Sequence, residues 1–163
     1  MFNLEKQELK NKKVIIRVDL NVPLDDKFKV TDTTRIEACK ETIDLILDKG
    51  GTCILISHFG RPKEREDKFS LKHIVETVSD VLGHPVFFHN DCIGDEVQEV
   101  ISNLNPGDII LLENLRFYKE ETVGDILFAE ELSKLGDIYV NDAFGTCHSC
   151  LLYTSDAADD DTR

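Results

Sequence analysis

The sequence predicts an α/β domain, a parallel sheet with helices on both faces. Three observations carry this reading. Short β-branched apolar runs recur five times, each separated from the next by more than the dozen or so residues a parallel crossover requires. Between them lie stretches whose apolar residues repeat at helical spacing. With 163 residues and 41% hydrophobic content, the chain has the size of one domain and enough apolar side chains for a core.

In chain order, the first strand is Val14-Ile15-Ile16-Arg17-Val18. Thr34 to Asp48 then sets Ile36, Cys39, Ile43, Leu45, Ile46 and Leu47 mostly on one helical face, and Gly50-Gly51 supplies a stop. Thr52-Cys53-Ile54-Leu55-Ile56 is the second strand. Ser70 reads as the N-cap of a helix carrying Leu71, Ile74, Val75, Val78, Val81 and Leu82, with Gly83 as its end. The third strand is Val86-Phe87-Phe88, and a third helix runs from Cys92 or Ile93 to about Ile101, ended by Asn103 to Gly107. Ile109-Ile110-Leu111-Leu112 is the fourth strand. A fourth helix then leads from about Asp125 through Leu127, Phe128, Leu132 and Leu135 to Gly136, and Asp137-Ile138-Tyr139-Val140 is the fifth strand. Neither an internal repeat nor a domain linker interrupts residues 1–149.

The formal net charge of −13 sets a field that repels phosphate backbones and anionic membranes, so neither nucleic acid nor a membrane is an expected partner. An anionic small molecule would need clustered arginines that overcome the global sign within one Debye length, about 8 Å. The cysteine count is odd (Cys39, Cys53, Cys92, Cys147, Cys150), and Cys39 and Cys53 lie in apolar segments, so buried thiols are expected rather than disulfides. No secretory leader pattern or membrane-length apolar run is present, and a soluble, cytoplasmic setting is the expectation.

Ligands of open parallel sheets bind beyond the carboxyl ends of the strands, and those ends are polar here. They read Arg17-Val18-Asp19-Leu20-Asn21-Val22-Pro23, Ser57-His58-Phe59-Gly60-Arg61-Pro62, Glu113-Asn114-Leu115-Arg116-Phe117 and Asn141-Asp142-Ala143-Phe144-Gly145-Thr146, with His89-Asn90-Asp91 the weaker third. Arginine suits this place because its planar fork grips carboxylate or phosphate through two parallel hydrogen bonds and stays charged. Gly60 and Gly145 would let backbone approach a ligand, and Pro23 and Pro62 would stiffen the turns. Taken singly, each group has a structural reading. An arginine can be a rim charge, His58 a satisfied structural histidine, Asp19 and Asn21 Asx turns, and Arg17 a buried charge paired with Glu113 or Asp142. Four polar strand ends together outweigh those separate readings.

Taken with Thr34-Arg35-Ile36, these strand-end motifs closely resemble phosphoglycerate kinase over about residues 3–148. The resemblance implies the Rossmann-like N-terminal lobe of a two-lobe kinase that moves a phosphoryl group reversibly between ATP and 3-phosphoglycerate, giving 1,3-bisphosphoglycerate and ADP. By the same resemblance, Asp19 and Asn21 contact the hydroxy-acid end, His58, Arg61 and Arg116 hold the phosphate, and Arg35 is the catalytic cation beside the transferred group. Arg17, Asn141 and Asp142 are support. The family uses Mg-ATP or Mg-ADP on its other lobe, and neither Gly-x-x-x-x-Gly-Lys-Ser/Thr nor Gly-x-Gly-x-x-Gly occurs here, so no cofactor or metal site is expected in this chain. The chain is expected to be monomeric and cytoplasmic, with 3-phosphoglycerate or 1,3-bisphosphoglycerate as its partner.

The pattern breaks after His148. Ser149 stands where the family carries another phosphate-binding arginine, and Cys150 to Arg163 resembles the translation of a sequencing adapter. Residues 1–149 are therefore read as an incomplete substrate-binding domain, inactive alone, and residues 150–163 are set aside as a non-native tail. Two alternatives use other features of the sequence. One is a non-catalytic binding or scaffolding domain of the same fold, and the other is a metal module built on Cys147 and Cys150.

Overall fold

Runs of Val, Ile and Leu that are apolar on both sides make strands where both sheet faces are covered. This is the arrangement in the computed structural model, which describes residues 4–122, 124, 126–142 and the backbone of 152–154. The strands are β1 (Lys13–Val18), β2 (Thr52–Ile56), β3 (Phe87–His89), β4 (Ile109–Leu112), β5 (Ile138–Asp142) and β6 (Leu152–Thr154). They lie in the order β3-β4-β2-β1-β5-β6. The first five are parallel. β6, from the segment the sequence reading set aside, adds antiparallel to β5.

The crossovers hold α1 (Thr34–Asp48), α2 (Val75–Leu82), α3 (Asp95–Ser102), the single turn α4 (Lys119–Thr122) and α5 (Ile126–Ser133). Alternation along the strands divides the core. Val14, Ile16, Val18, Cys53, Leu55, Ile109 and Leu111 pack with Ile36, Ile43 and Ile46 of α1 and Val78 and Leu82 of α2. Ile15, Ile54, Ile56, Ile110 and Leu112 pack with Val97 and Ile101 of α3 and Phe128 and Leu132 of α5. All residues of β2 and β4 are buried, whereas Phe87 on the edge strand β3 is 51% exposed.

The ends of α1 follow from its flanking residues. Asp32 accepts a hydrogen bond from the Thr34 amide, and Gly50 takes φ +85° so that its own amide reaches Leu47 O while Gly51 reaches Ile46 O, a Schellman stop. Ser70 caps the 3-10 turn Leu71–Ile74 that leads into α2, accepting from the Lys72 amide. Several boundaries differ from the sequence reading: β1 begins one residue earlier, at Lys13, the α-helical part of the second helix begins at Val75, the last helix ends at Ser133, and β5 runs on to Asp142. α3 starts at Asp95, since Asp91 and Gly94 first make a turn. β3 is shifted by one residue, and β5 begins after Asp137, whose carboxylate accepts from the Lys13 amide. Among the described residues, no helix is long and apolar enough to cross a membrane.

Candidate functional site

The connections leaving β1 and β2 run over the face of α1 and α2, and those leaving β3 and β4 run over the face of α3 and α5. The adjacent strands β2 and β4 therefore send their chains to opposite faces, and the crevice between their carboxyl ends is the sheet's switch point.

Much of the polarity at this edge is structural. Asn114 is fully buried. Its Oδ1 accepts from the amides of Phe59 and Arg116, and its Nδ2 donates to Phe59 O and Phe69 O. The buried Glu113 carboxylate accepts from Ser70 Oγ and from the Leu71 and Asn114 amides. Ser57 Oγ accepts from the Leu20 amide and donates to His58 O. These three side chains staple the loops after β1, β2 and β4 to one another. Gly60 takes φ +63°, and a Cβ there would lie 2.5 Å from the Phe69 ring. Packing within the chain, rather than a ligand, requires glycine at this position.

On this scaffold sit the residues read from the sequence. Asp19 Oδ1 accepts from the Asn21 amide, an Asx turn, and also from Arg35 Nη1 at 3.2 Å. Arg35, in the first turn of α1 and half exposed, donates from the same nitrogen to Asn21 O at 2.7 Å. Asn21 Oδ1 accepts from the Gly60 amide at 2.9 Å, which ties the β1 loop to the loop bearing His58 and Arg61. His58 is half-buried, and its pKa is lowered first by burial and then by the Arg116 and Arg17 guanidinium groups, against the opposing pull of Asp19 and Glu121. Arg61 is exposed and makes no ion pair with a described residue. Asn141 lies in register beside Arg17 on the neighbouring strand and is exposed. Asp142 is 1% exposed, and its charge adds to burial in pushing the Cys39 thiol up to about 12.

One pairing differs from expectation. Arg17 bonds neither Glu113, whose oxygens are taken by the α2 start, nor Asp142, but Glu121 of α4 at 2.7 Å. Arg17 alternates with Ile16 and Val18 and so faces the α3–α5 side, where α4 follows β4. The second Glu121 oxygen lies 4.0 Å from Arg116 Nε. Glu121 is the residue that sequence reasoning missed, since Glu120-Glu121 reads as a solvated acidic pair until the 3-10 turn Leu115–Phe117 folds the chain back. At the weaker third end, Arg65 donates to Asn90 O, lies 3.7 Å from Asp91 and covers the Phe117 ring, while Tyr118 donates to Asp91. Cys39, Cys53 and Cys92 are buried and free. Gly145, Cys147, Ser149 and Cys150 lie outside the described residues.

Arg17, Arg35 and Arg116 thus stand at one edge against the carboxylates of Asp19 and Glu121, with Arg61 on the loop that Asn21 ties to this cluster. Comparison with known proteins identifies the lineage. The family model described as phosphoglycerate kinase matches residues 4–152. The chain belongs to the phosphoglycerate kinase family. It is 53% identical over 145 residues to the cytosolic phosphoglycerate kinase of Triticum aestivum, covering 89% of this chain and 36% of that protein. With the phosphoglycerate kinase of Dictyoglomus turgidum it shares 48% identity over 158 residues, covering 97% and 40%. A crystal structure of phosphoglycerate kinase from Pyrococcus horikoshii superimposes with a TM-score of 0.79 at 34% identity, over 88% of this chain and 37% of that one. The chain therefore spans well under half the length of these phosphoglycerate kinases.

Proposed function

We propose that this chain carries the acid-substrate lobe of a phosphoglycerate kinase and that 3-phosphoglycerate or 1,3-bisphosphoglycerate binds at the switch point between β2 and β4. The observation that carries the reading is the linked strand-end cluster of Asp19, Asn21, Arg35 and His58 with Arg17 and Arg116. In this reading Asp19 and Asn21 orient the hydroxy-acid end, and His58, Arg61 and Arg116 take the phosphate. Arg35, anchored on Asp19 and Asn21 at the rim, neutralises charge on the transferred group. Phosphoryl transfer asks the protein for positioning and charge neutralisation, and fixed arginines supply both without a nucleophile. Arg17, Asn141 and Asp142 support this edge.

No phosphate-cradling glycine motif for a nucleotide occurs in the sequence. The nucleotide belongs in our reading to the part of the family chain not spanned here, so the chain alone turns over no substrate. Residues 1–149 are then an incomplete lobe and residues 150–163 a non-native tail. The family model's match ends at residue 152, close to where the motif pattern breaks, while the alignment with the Dictyoglomus turgidum protein runs on past it. A monomer in the cytoplasm is part of this reading; the wheat relative is named cytosolic and two relatives from Arabidopsis thaliana chloroplastic.

Calorimetric titration of the full 163-residue chain with 3-phosphoglycerate tests the site. Arg61→Ala and Arg116→Ala should each weaken binding about ten- to a hundredfold, the scale of a lost charge-assisted hydrogen bond. Unchanged affinity in both variants removes the assignment, and turnover by the chain alone in a coupled assay removes its predicted inactivity.

A further inference from the structure

Glu121 touches the arginine cluster from behind. Its Oε1 accepts from Arg17 Nη1 at 2.7 Å, and its Oε2 faces the Nε side of Arg116 at 4.0 Å. The Glu121 side chain is 12% exposed, against 32% for Arg116 and 25% for Arg17. Arg116 Nε is itself buried and makes no hydrogen bond with a described residue. The carboxylate therefore lies on the interior side of Arg116, and the guanidinium's two terminal nitrogens, the fork that grips an anion, make no hydrogen bond with a described residue. Two guanidinium groups converging on one edge repel each other, and a buried anion behind them offsets that repulsion while limiting where each can swing.

We infer that Glu121 is a positioning residue for the anion site: it holds Arg17 and Arg116 from the interior side so that the Arg116 fork is already aimed when a phosphate arrives. The inference rests on reading this cluster as a phosphorylated-acid site. It makes a counterintuitive prediction. By Coulomb's law alone, deleting a negative charge beside an anion site strengthens anion binding; if Glu121 acts by aiming the arginines, the deletion weakens it.

The test titrates the full chain with inorganic phosphate and with 3-phosphoglycerate. Glu121→Ala should lower both affinities about tenfold, because disordered arginines must be fixed by the ligand. Glu121→Gln should recover part of that loss, since its amide oxygen still accepts from Arg17. Glu120→Gln, at the exposed neighbour, makes the same charge change without the contact and should not weaken binding. Affinity of Glu121→Ala equal to or above that of the unaltered chain overturns the inference and makes Glu121 a tethered competitor instead. The unaltered chain gives an arm that needs no variant of Glu121. The Arg116 Nε–H should be ordered by nuclear magnetic relaxation before phosphate is added, and mobility lost only on adding phosphate overturns the proposal. Should Arg116→Ala leave phosphate affinity intact, the site reading itself has failed rather than the role of Glu121.

Discussion

His58 stands where burial and two arginines disfavour its charged form, and two carboxylates only partly oppose them. Its folded pKa lies below the ordinary value of about 6.5. As pH falls through that ordinary value, the unfolded chain takes up a proton that the folded chain refuses, so the His58 contribution to stability is complete above it and is lost on acidification. Proton NMR should therefore follow the His58 ring titrating below the free imidazole. Arg116→Ala should move that titration upward, and saturating phosphate should do the same by favouring imidazolium. A titration at or above the free value would show that the arginines do not reach the ring. At this scale residue type and placement after a strand point to His58 and Arg116, whereas Arg35, in the first turn of α1, enters only through the family resemblance. The sequence was silent about Glu121, which reaches Arg17 only through a 3-10 turn that residue pattern does not announce. It also could not separate Asn21, whose side chain ties the loops around the cluster, from Asn114, whose four bonds all go to backbone; the two differ in fold context and not in chemistry.

Between elements, the decisive joint is the staple from the end of β4 to the loop after β2. Asn114 holds Phe59 by both its amide and its carbonyl, and the Leu115 amide donates to Ser57 O. Asn114→Ala leaves several buried backbone groups without partners and should cost about 2–4 kcal/mol in urea unfolding. It should also loosen His58 and Arg116 together, because both loops hang from it. A variant as stable as the parent would mean that other groups or water take over the bonds. Strand and helix cores were legible from periodicity, and α1, β2 and β4 begin and end where the apolar pattern places them. Boundaries drifted where a polar side chain captures a backbone group first, as Asp137 does with the Lys13 amide and Asp91 with that of Cys92.

Among the described residues, the sheet divides the core into two layers. Ile54 and Leu55 are neighbours on β2 facing opposite layers, and both are fully buried. Ile54→Ala and Leu55→Ala should each cost about 2–5 kcal/mol, the price of a cavity in a well-packed interior. A sheet covered on one face alone would give one expensive and one nearly neutral substitution, which guanidinium unfolding of the pair would reveal. The placement of β1 between β2 and β5 has a further consequence during biosynthesis. The ribosome delivers β1 early, and β2 can join it within a few dozen residues, but its other hydrogen-bonding flank stays open until residue 138 has been made. An apolar strand with a bare flank is an invitation to mispairing. From the arrival of β2 until residue 138 is made, the nascent chain therefore carries its central strand half-dressed, and that interval is when a chaperone would have the most to protect.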